Sequence, residues 1–198
     1  MSFSQAYIAE TKAILDALPQ QDIEAVATGL AACRAARGRL FILGVGGSAG
    51  HASHAVNDFR KICGFEAYAP TDNVSELTAR TNDEGWDTTF SAWLSGSRIG
   101  PKDAVLVFSV GGGNAAKAVS NNIVKALELA VSVRASIFGV VGRDGGDTKK
   151  HSNACVVVPP LYEDRITPHT EGLAAVVWHL LVSHPALKVS GTKWESVR

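Results

Sequence analysis

Two histidines and an aspartate follow the first of two glycine-rich turns in this chain of 198 residues. His51, His54 and Asp58 stand at positions i, i+3 and i+7, so a helix would carry all three side chains on one face. Imidazoles and a carboxylate on a common face can bind a divalent metal or move protons between substrate atoms. The structural alternative is that an imidazole bonds to the backbone and Asp58 pairs with Arg60 or Lys61. Because the three residues follow a glycine-rich turn, we favour the functional interpretation over the structural one.

A second polar pair lies near the carboxyl end, within an apolar stretch. Thr167 followed by Pro168 predicts a helix that begins there, with threonine as the N-cap. Glu171 and His179 are eight residues apart, so they would point in roughly the same direction. A carboxylate and an imidazole in such surroundings must be paired or functional, because burying an unpaired charge is costly. The structural alternative is that Glu171 stabilises the helix start and His179 makes a hydrogen bond in the core.

Both glycine-rich turns join a short apolar run to a predicted helix. The first reads L-F-I-L-G-V-G-G-S-A-G over residues 40–50, and the second reads V-L-V-F-S-V-G-G-G-N over residues 105–114. Turns of this kind present backbone N–H groups and hydroxyls at the positive end of a helix, where phosphate binds. Two of them in one sheet predict a site for a phosphorylated ligand.

The elements that must hold these residues alternate between strand and helix. Continuous apolar runs predict buried parallel strands at residues 39–44, 66–70, 104–109, 135–141 and 154–158. Helical spacing predicts helices at residues 3–17, 22–37, 49–62, 74–80, 86–97, 114–131 and 168–183. Residues 144–153 and the tail after His184 are expected to be irregular. The pattern predicts an α/β fold in which helices cover both faces of a parallel sheet.

Length and charge limit the organisation and the partners of the chain. We expect a single domain over residues 1–198, with a helix pair over 1–37, an α/β core over 38–184 and a tail over 185–198. Lys plus Arg equals Asp plus Glu at 19 each, so no basic field favours nucleic acid.

The cysteines and the apolar runs predict the compartment. Cys33, Cys63 and Cys155 are far apart, which indicates reduced thiols in the core. No apolar run approaches the roughly 18 residues of a membrane span, and the first residues lack the pattern of a targeting signal. We therefore expect a cytoplasmic protein without a membrane partner.

Five motifs together resemble, in order and spacing, those of the phosphoheptose isomerases, which are single-domain members of the sugar isomerase (SIS) fold. They are G-V-G-G-S-A-G-H-A-S-H-A, T-N-D-E-G-W at residues 81–86, S-V-G-G-G-N at 109–114, G-R-D-G-G at 142–146, and the late Glu and His. The resemblance covers about residues 38–183. It implies a three-layer α-β-α sandwich of the flavodoxin-like SIS type with a five-stranded parallel sheet. It also implies a homotetramer packed through the N-terminal helix pair.

The resemblance further implies an aldose–ketose isomerase that converts sedoheptulose 7-phosphate to D-glycero-D-manno-heptose 7-phosphate through a cis-enediol. Asp58, Glu171 and His179 are then the catalytic residues. The same three side chains with His54 are implied as ligands of Zn²⁺ or another divalent cation, which would polarise the substrate oxygens. The residues implied to bind the sugar phosphate are Gly46, Gly47, Ser48, Asn82, Asp83, Ser109, Gly111, Gly112, Gly113 and Asn114.

Several positions depart from the pattern of that family. Val45 stands where asparagine is common, and Val110 with the glycines after it replaces a hydroxyl-rich loop, so phosphate must rely more on backbone amides. Asp58 stands where the family has glutamate and is shorter by about 1.5 Å, which weakens direct proton abstraction but suits a metal ligand. Glu171 replaces a glutamine, and its added charge favours a cation in the site. These departures leave open a divergent branch with a different phosphosugar.

Two alternatives remain beside the isomerase. A dinucleotide-binding domain could use the spacing of Gly44, Gly46 and Ala49, with Glu66 or Asp72 as the ribose acid. Against it, Glu66 would begin its strand, and the second glycine-rich turn would have no role. A non-catalytic SIS protein that binds a phosphosugar or a replication initiator would keep the fold. Four convergent titratable groups favour the enzyme over that scaffold.

Overall fold

A parallel sheet of five strands forms the centre of the computed structural model, which describes residues 1–193. Residues 194–198 of the predicted tail lie outside the described part. The strands are β1 (Leu40–Leu43), β2 (Ala67–Tyr68), β3 (Ala104–Ser109), β4 (Ser136–Val141) and β5 (Ala154–Val157). They lie in the order β2-β1-β3-β4-β5, and every pairing is parallel. The predicted five-stranded parallel sheet is therefore confirmed.

Helices cover both faces of the sheet. They are α1 (Phe3–Asp16), α2 (Gln20–Ala35), α3 (Gly47–Lys61), α4 (Val74–Glu84), α5 (Thr89–Gly96), α6 (Asn121–Ser132), α7 (Gly146–His151) and α8 (Ile166–Ser183). Because side chains alternate along a strand, Leu40 and Ile42 pack under α2, α3 and α8, whereas Phe41 and Leu43 pack under α5 and α6. The result is the three-layer α-β-α sandwich that the sequence predicted.

Two segments that follow strands differ from the prediction. The helix predicted over residues 114–131 begins only at Asn121, because a 3-10 turn (Ala115–Lys117) and two left-handed residues precede it. Those residues are Ala118 and Ser120, with φ of 51° and 52°. The segment 144–153, predicted as irregular, contains the short helix α7. Both segments lie at glycine-rich turns, where the spacing of apolar residues does not predict where a helix begins.

The last helix begins earlier than the sequence predicted. Thr167 is not its N-cap: a 3-10 turn (Glu163–Arg165) leads into α8, and Arg165 takes the cap position. The chain after α8 is also more ordered than expected, because Leu187 is fully buried and Arg34 donates hydrogen bonds to the carbonyls of Ala186 and Leu187.

The buried thiols agree with the sequence, since all three cysteines lie in the interior. Burial raises the pKa of Cys33 and Cys63 to about 11 and that of Cys155 to about 12. Across residues 1–193, no helix combines the length and the apolar character that a membrane span requires.

Candidate functional site

A cavity of about 670 Å³ opens at the carboxyl edge of the sheet. In parallel α/β sheets, ligands bind at this edge, where strands end and helices begin. Its walls come from the turns after β1, β3 and β4 and from the start of α8. The lining residues are Val45, Ser48, Ser109, Val110, Gly111, Asn114, Lys117, Val119, Ser120, Arg143, Asp144, Thr167 and Glu171.

The first glycine-rich turn brings α3 and α8 into close contact. Gly46 has a φ of 61°, which favours glycine, and α3 begins at the next residue. A Cβ atom on Gly47 would lie 2.8 Å from Oε1 of Glu171, so this glycine makes room for the carboxylate. Ser48 follows, nearly buried and facing the cavity. Backbone N–H groups at the start of a helix suit an anion, and Glu171 lies beside them.

The second glycine-rich turn is held in place by α7. Ser109 Oγ accepts a hydrogen bond of 3.0 Å from the N–H of Gly112. The hydroxyl of Thr148 donates to the carbonyl of Gly112 at 2.7 Å. Asp147 accepts from the N–H of Ala115 at 2.6 Å. Its bond with Lys150, together with this backbone bond, lowers the pKa of Asp147. The turn therefore has a fixed shape before any ligand binds.

The sequence did not identify two basic residues that line the cavity, Lys117 and Arg143. Asn114 Oδ1 accepts a hydrogen bond of 3.0 Å from the N–H of Lys117, which fixes the turn that carries this lysine. Arg143 has a left-handed φ of 51°. Within residues 1–193, neither side chain forms a hydrogen bond or an ion pair. The segment around Lys117 was predicted as helix, so its place at the cavity could not be read from periodicity.

A second polar group lies further along α3 and α8. One ligand atom each from His54, Asp58 and His179 lies within 4.8 Å of the other two. We call these residues the histidine–aspartate group. Nε2 of His54 is 3.7 Å from Oδ2 of Asp58. The group thus joins the two sequence motifs that were predicted to meet. His51, the third member of the first motif, does not belong to it.

The hydrogen bonds around this group leave its metal-binding atoms free. Nδ1 of His179 donates to the carbonyl of Ala175 at 2.8 Å, which leaves Nε2 available. Oδ1 of Asp58 accepts from the amide of Asn57 at 2.8 Å. Arg60 donates to the carbonyl of Ala67 at 3.0 Å, so the structural alternative of an Asp58–Arg60 pair is not observed.

Two imidazoles and a carboxylate form a donor set that suits Zn²⁺. In a tetrahedral zinc site with bonds of about 2.0–2.1 Å, the ligand atoms are about 3.3 Å apart. The separation of 3.7 Å between His54 and Asp58 is close to that spacing. A rotation of the His179 side chain would bring its imidazole nitrogen to a similar distance from the other two ligand atoms. The residues present therefore fit a divalent metal.

Glu171, Asn82 and Asp83 lie apart from the histidine–aspartate group. Glu171 is eight residues before His179 on α8, or about 12 Å along the helix axis, and lines the cavity instead. Asn82 and Asp83 are exposed on α4, where the amide of Asn82 donates to Oδ1 of Asp83 at 2.8 Å. Neither lines the cavity in the described chain.

The arrangement combines a cavity whose lining suits an anion with a group on α3 and α8 that can bind metal or move protons. With the parallel sheet, these features are typical of the α/β proteins that bind phosphorylated ligands at the carboxyl edge of their strands.

Comparison with known proteins identifies the family. Residues 6–137 match the SIS domain family. The phosphoheptose isomerase of Trichlorobacter lovleyi is 34% identical over 148 residues, which cover 72% of this chain and 70% of that protein. That of Syntrophotalea carbinolica is 28% identical over 186 residues, covering 89% and 88%. The structure of the phosphoheptose isomerase of Neisseria gonorrhoeae superposes with a TM-score of 0.78 at 23% identity, covering 91% of this chain and 95% of that one.

The chain belongs to the SIS family and, within it, to the phosphoheptose isomerases. It is accordingly a phosphosugar isomerase, the enzyme class that the sequence predicted.

Proposed function

We propose that this chain interconverts sedoheptulose 7-phosphate and D-glycero-D-manno-heptose 7-phosphate through a cis-enediol. The observation that carries the proposal is the convergence of His54, Asp58 and His179 on the same helix seam as the cavity. The names of the relatives support a heptose as the substrate.

The phosphate is proposed to bind in the cavity. Ser48, Ser109 and the N–H groups of both glycine-rich turns offer hydrogen bonds, while Lys117 and Arg143 offer positive charge. This arrangement replaces the hydroxyl-rich loop of the family with backbone amides and two cations. Gly111 and Asn114 line the same wall, whereas Gly112 and Gly113 act by shaping the turn.

The reacting carbons are proposed to lie at the histidine–aspartate group. Ser48 and His54 are six residues apart on α3, or about 9 Å along its axis. An extended chain advances about 1.2 Å per bond, so the eight bonds from C1 of a heptose to the phosphorus of a 7-phosphate span about 10 Å. A seven-carbon phosphosugar thus has the length to connect the two places.

Proton transfer is assigned to Asp58 and His179. One oxygen of Asp58 takes a proton from C1 of the ketose and returns it to C2. Nε2 of His179, which the bond from Nδ1 to Ala175 leaves free, takes the proton of the C1 hydroxyl and delivers it to the oxygen on C2, so that C1 becomes the aldehyde and the C2 carbonyl becomes a hydroxyl. In a metal-bound form, Nε2 of His179 would instead join His54 and Asp58 as ligands of a divalent cation, and Glu171 is left at the cavity wall. The bound cation would supply Lewis acidity at the substrate oxygens. The homotetramer and the cytoplasmic location stay predictions.

The test is interconversion of phosphosugars of four to eight carbons by the purified wild-type chain and by His179→Ala. We expect the highest kcat/KM for the heptose 7-phosphate, and activity lost in His179→Ala with thermal stability near wild type, since His179 is exposed. Binding of phosphosugars without turnover by the wild type would contradict the proposal and favour the non-catalytic alternative. Strong destabilisation of His179→Ala would favour the structural alternative for this residue.

A further inference from the structure

The first two turns of α8 contact several separate parts of the molecule. Thr167 and Glu171 line the cavity, and Thr170 lies so close to Gly142 that a Cβ atom there would be 2.4 Å from its Oγ1. Between them, His169 is 3% exposed and turns toward α1. The placement of this short segment therefore affects the wall that Thr167 and Glu171 form and the neighbouring turn after β4, which Thr170 contacts.

A cluster of charged groups, in which Glu10 and His169 are nearly buried and Arg165 is partly exposed, joins the segment to α1. Glu10, on α1, accepts two hydrogen bonds from Arg165, at 2.8 Å from Nε and 2.7 Å from Nη2. It also bonds to Nε2 of His169 at 3.0 Å. The ring of Tyr7 stacks on His169 with centroids 4.5 Å apart. We call Glu10, Arg165 and His169 the Glu10 cluster. A forked bond between guanidinium and carboxylate sets orientation as well as distance.

The geometry of a helix relates this cluster to the cavity. Thr167 and Glu171 are four residues apart and share a face of α8, while His169, two residues from each, points to the opposite face. The cluster thus holds the back of the helix turn whose front lines the cavity. None of its members lines the cavity, so its effect on a ligand must pass through α8.

We propose that Glu10 is a positioning residue for the cavity, acting through Arg165 and His169 on Thr167 and Glu171. The inference rests on one part of the proposed function, namely that phosphate binds in the cavity. The competing explanation is that Glu10 only stabilises the packing of α1 against the rest of the protein and has no effect on the cavity.

The chain provides a control for the loss of a Glu–His contact to an N-terminal helix, in which the glutamate is more exposed than Glu10. Glu24, on α2, bonds to Nε2 of His184 at 3.1 Å and so joins another N-terminal helix to the chain just after α8. Both contacts are Glu–His pairs between an N-terminal helix and the α8 region. His184 is five residues beyond His179 and lies far from the cavity-lining Thr167 and Glu171 along the chain.

The experiment compares Glu10→Gln with Glu24→Gln in the full chain. Hydrogen exchange without ligand is followed for the amides of residues 169–172, the first in α8 that can bond within the helix, and the Kd for inorganic phosphate is measured by titration. We expect faster exchange and about five- to tenfold weaker phosphate binding in Glu10→Gln and wild-type values in Glu24→Gln. If Glu10→Gln does not fold, Arg165→Lys, which keeps the charge but loses the fork, is measured instead.

The outcomes separate the inference from the proposed function. Unchanged exchange at residues 169–172 in Glu10→Gln, or equal weakening of phosphate binding in both variants, would overturn the positioning role. Wild-type protein that binds phosphate but does not isomerise a phosphosugar would contradict the proposed function alone, because neither measurement here requires turnover.

Discussion

Glu171 reaches across from α8 and lies against Gly47, the first residue of α3. A Cβ atom on Gly47 would be 2.8 Å from Oε1 and 3.1 Å from Oε2 of that carboxylate. The contact links the first glycine-rich turn to the polar pair near the carboxyl end. It also places a negative charge beside the helix start that is proposed to help bind phosphate. The wall of the cavity therefore depends on the absence of one side chain.

Gly47→Ala is expected to change the affinity for phosphate while the protein stays folded. The new methyl group would displace the Glu171 carboxylate, whose flexible end can move, and carry its negative charge away from the start of α3. We therefore expect tighter phosphate binding without loss of fold. Alanine also lowers the entropy lost on folding by up to about 1 kcal/mol relative to glycine in a helix. Thermal unfolding and phosphate titration of the same variant check both statements.

The matched control is Gly50→Ala, in the same helix, where an added Cβ meets nothing within 4 Å. It should gain similar stability and keep wild-type phosphate affinity. Equal phosphate affinity in Gly47→Ala and Gly50→Ala would show that the position of Glu171 does not affect the cavity.

Lys117 and Arg143 are expected to supply the positive charge of the phosphate site. Lys117→Met and Arg143→Met keep the aliphatic stem and remove the charge. Because both side chains are exposed, each should weaken binding of phosphate by about three- to tenfold and reduce its dependence on salt. Titrations at two salt concentrations measure this, with Lys125→Met, an exposed substitution on α6 away from the cavity, as the control. Equal effects of Lys117→Met and Lys125→Met would remove Lys117 from the site.

The positions of Lys117 and Arg143 at the cavity show which features of the site could not be predicted from the sequence. The strands and the shared face of His54 and Asp58 followed from local spacing, which is a property of neighbouring residues. The place of Lys117 depends instead on left-handed backbone at Ala118 and Ser120, which residues other than glycine seldom adopt. Contacts between distant segments, such as Glu10 with Arg165, depend on the tertiary fold and leave no periodic signal.

Metal binding should depend on Asp58 and be largely independent of Glu171. Asp58 belongs to the histidine–aspartate group, whereas Glu171 lies about two helical turns away on α8. We expect Zn²⁺ to bind stoichiometrically to the wild type and to Glu171→Gln after equilibrium dialysis, and to be lost in Asp58→Ala. Loss of Zn²⁺ in Glu171→Gln would show that this residue moves onto the metal, as the family resemblance implied.

The Glu10 cluster should make the protein sensitive to acid. Hydrogen bonds from Arg165 and His169 lower the pKa of Glu10 from 4.5 to about 2. A carboxylate with a depressed pKa in the folded state stabilises the protein fully above its unfolded value and loses that contribution as pH falls through the folded value. The stabilisation by Glu10 should therefore be complete above about pH 5 and decline toward pH 2.

Urea unfolding of the wild type and of Glu10→Gln between pH 7 and pH 2 measures this dependence. Glutamine cannot ionise, so the difference in unfolding free energy should be constant near neutral pH and shrink as Glu10 of the wild type becomes protonated. Glu24→Gln serves as the control, because Glu24 is largely exposed and an exposed pair contributes little. A difference between wild type and Glu10→Gln that stays constant down to pH 2 would mean that the pKa of Glu10 is the same in the folded and the unfolded protein, so that Arg165 and His169 do not stabilise its carboxylate. In that case the forked bond to Arg165 would add nothing to the placement of α8, and the position of Thr167 and Glu171 would need another cause.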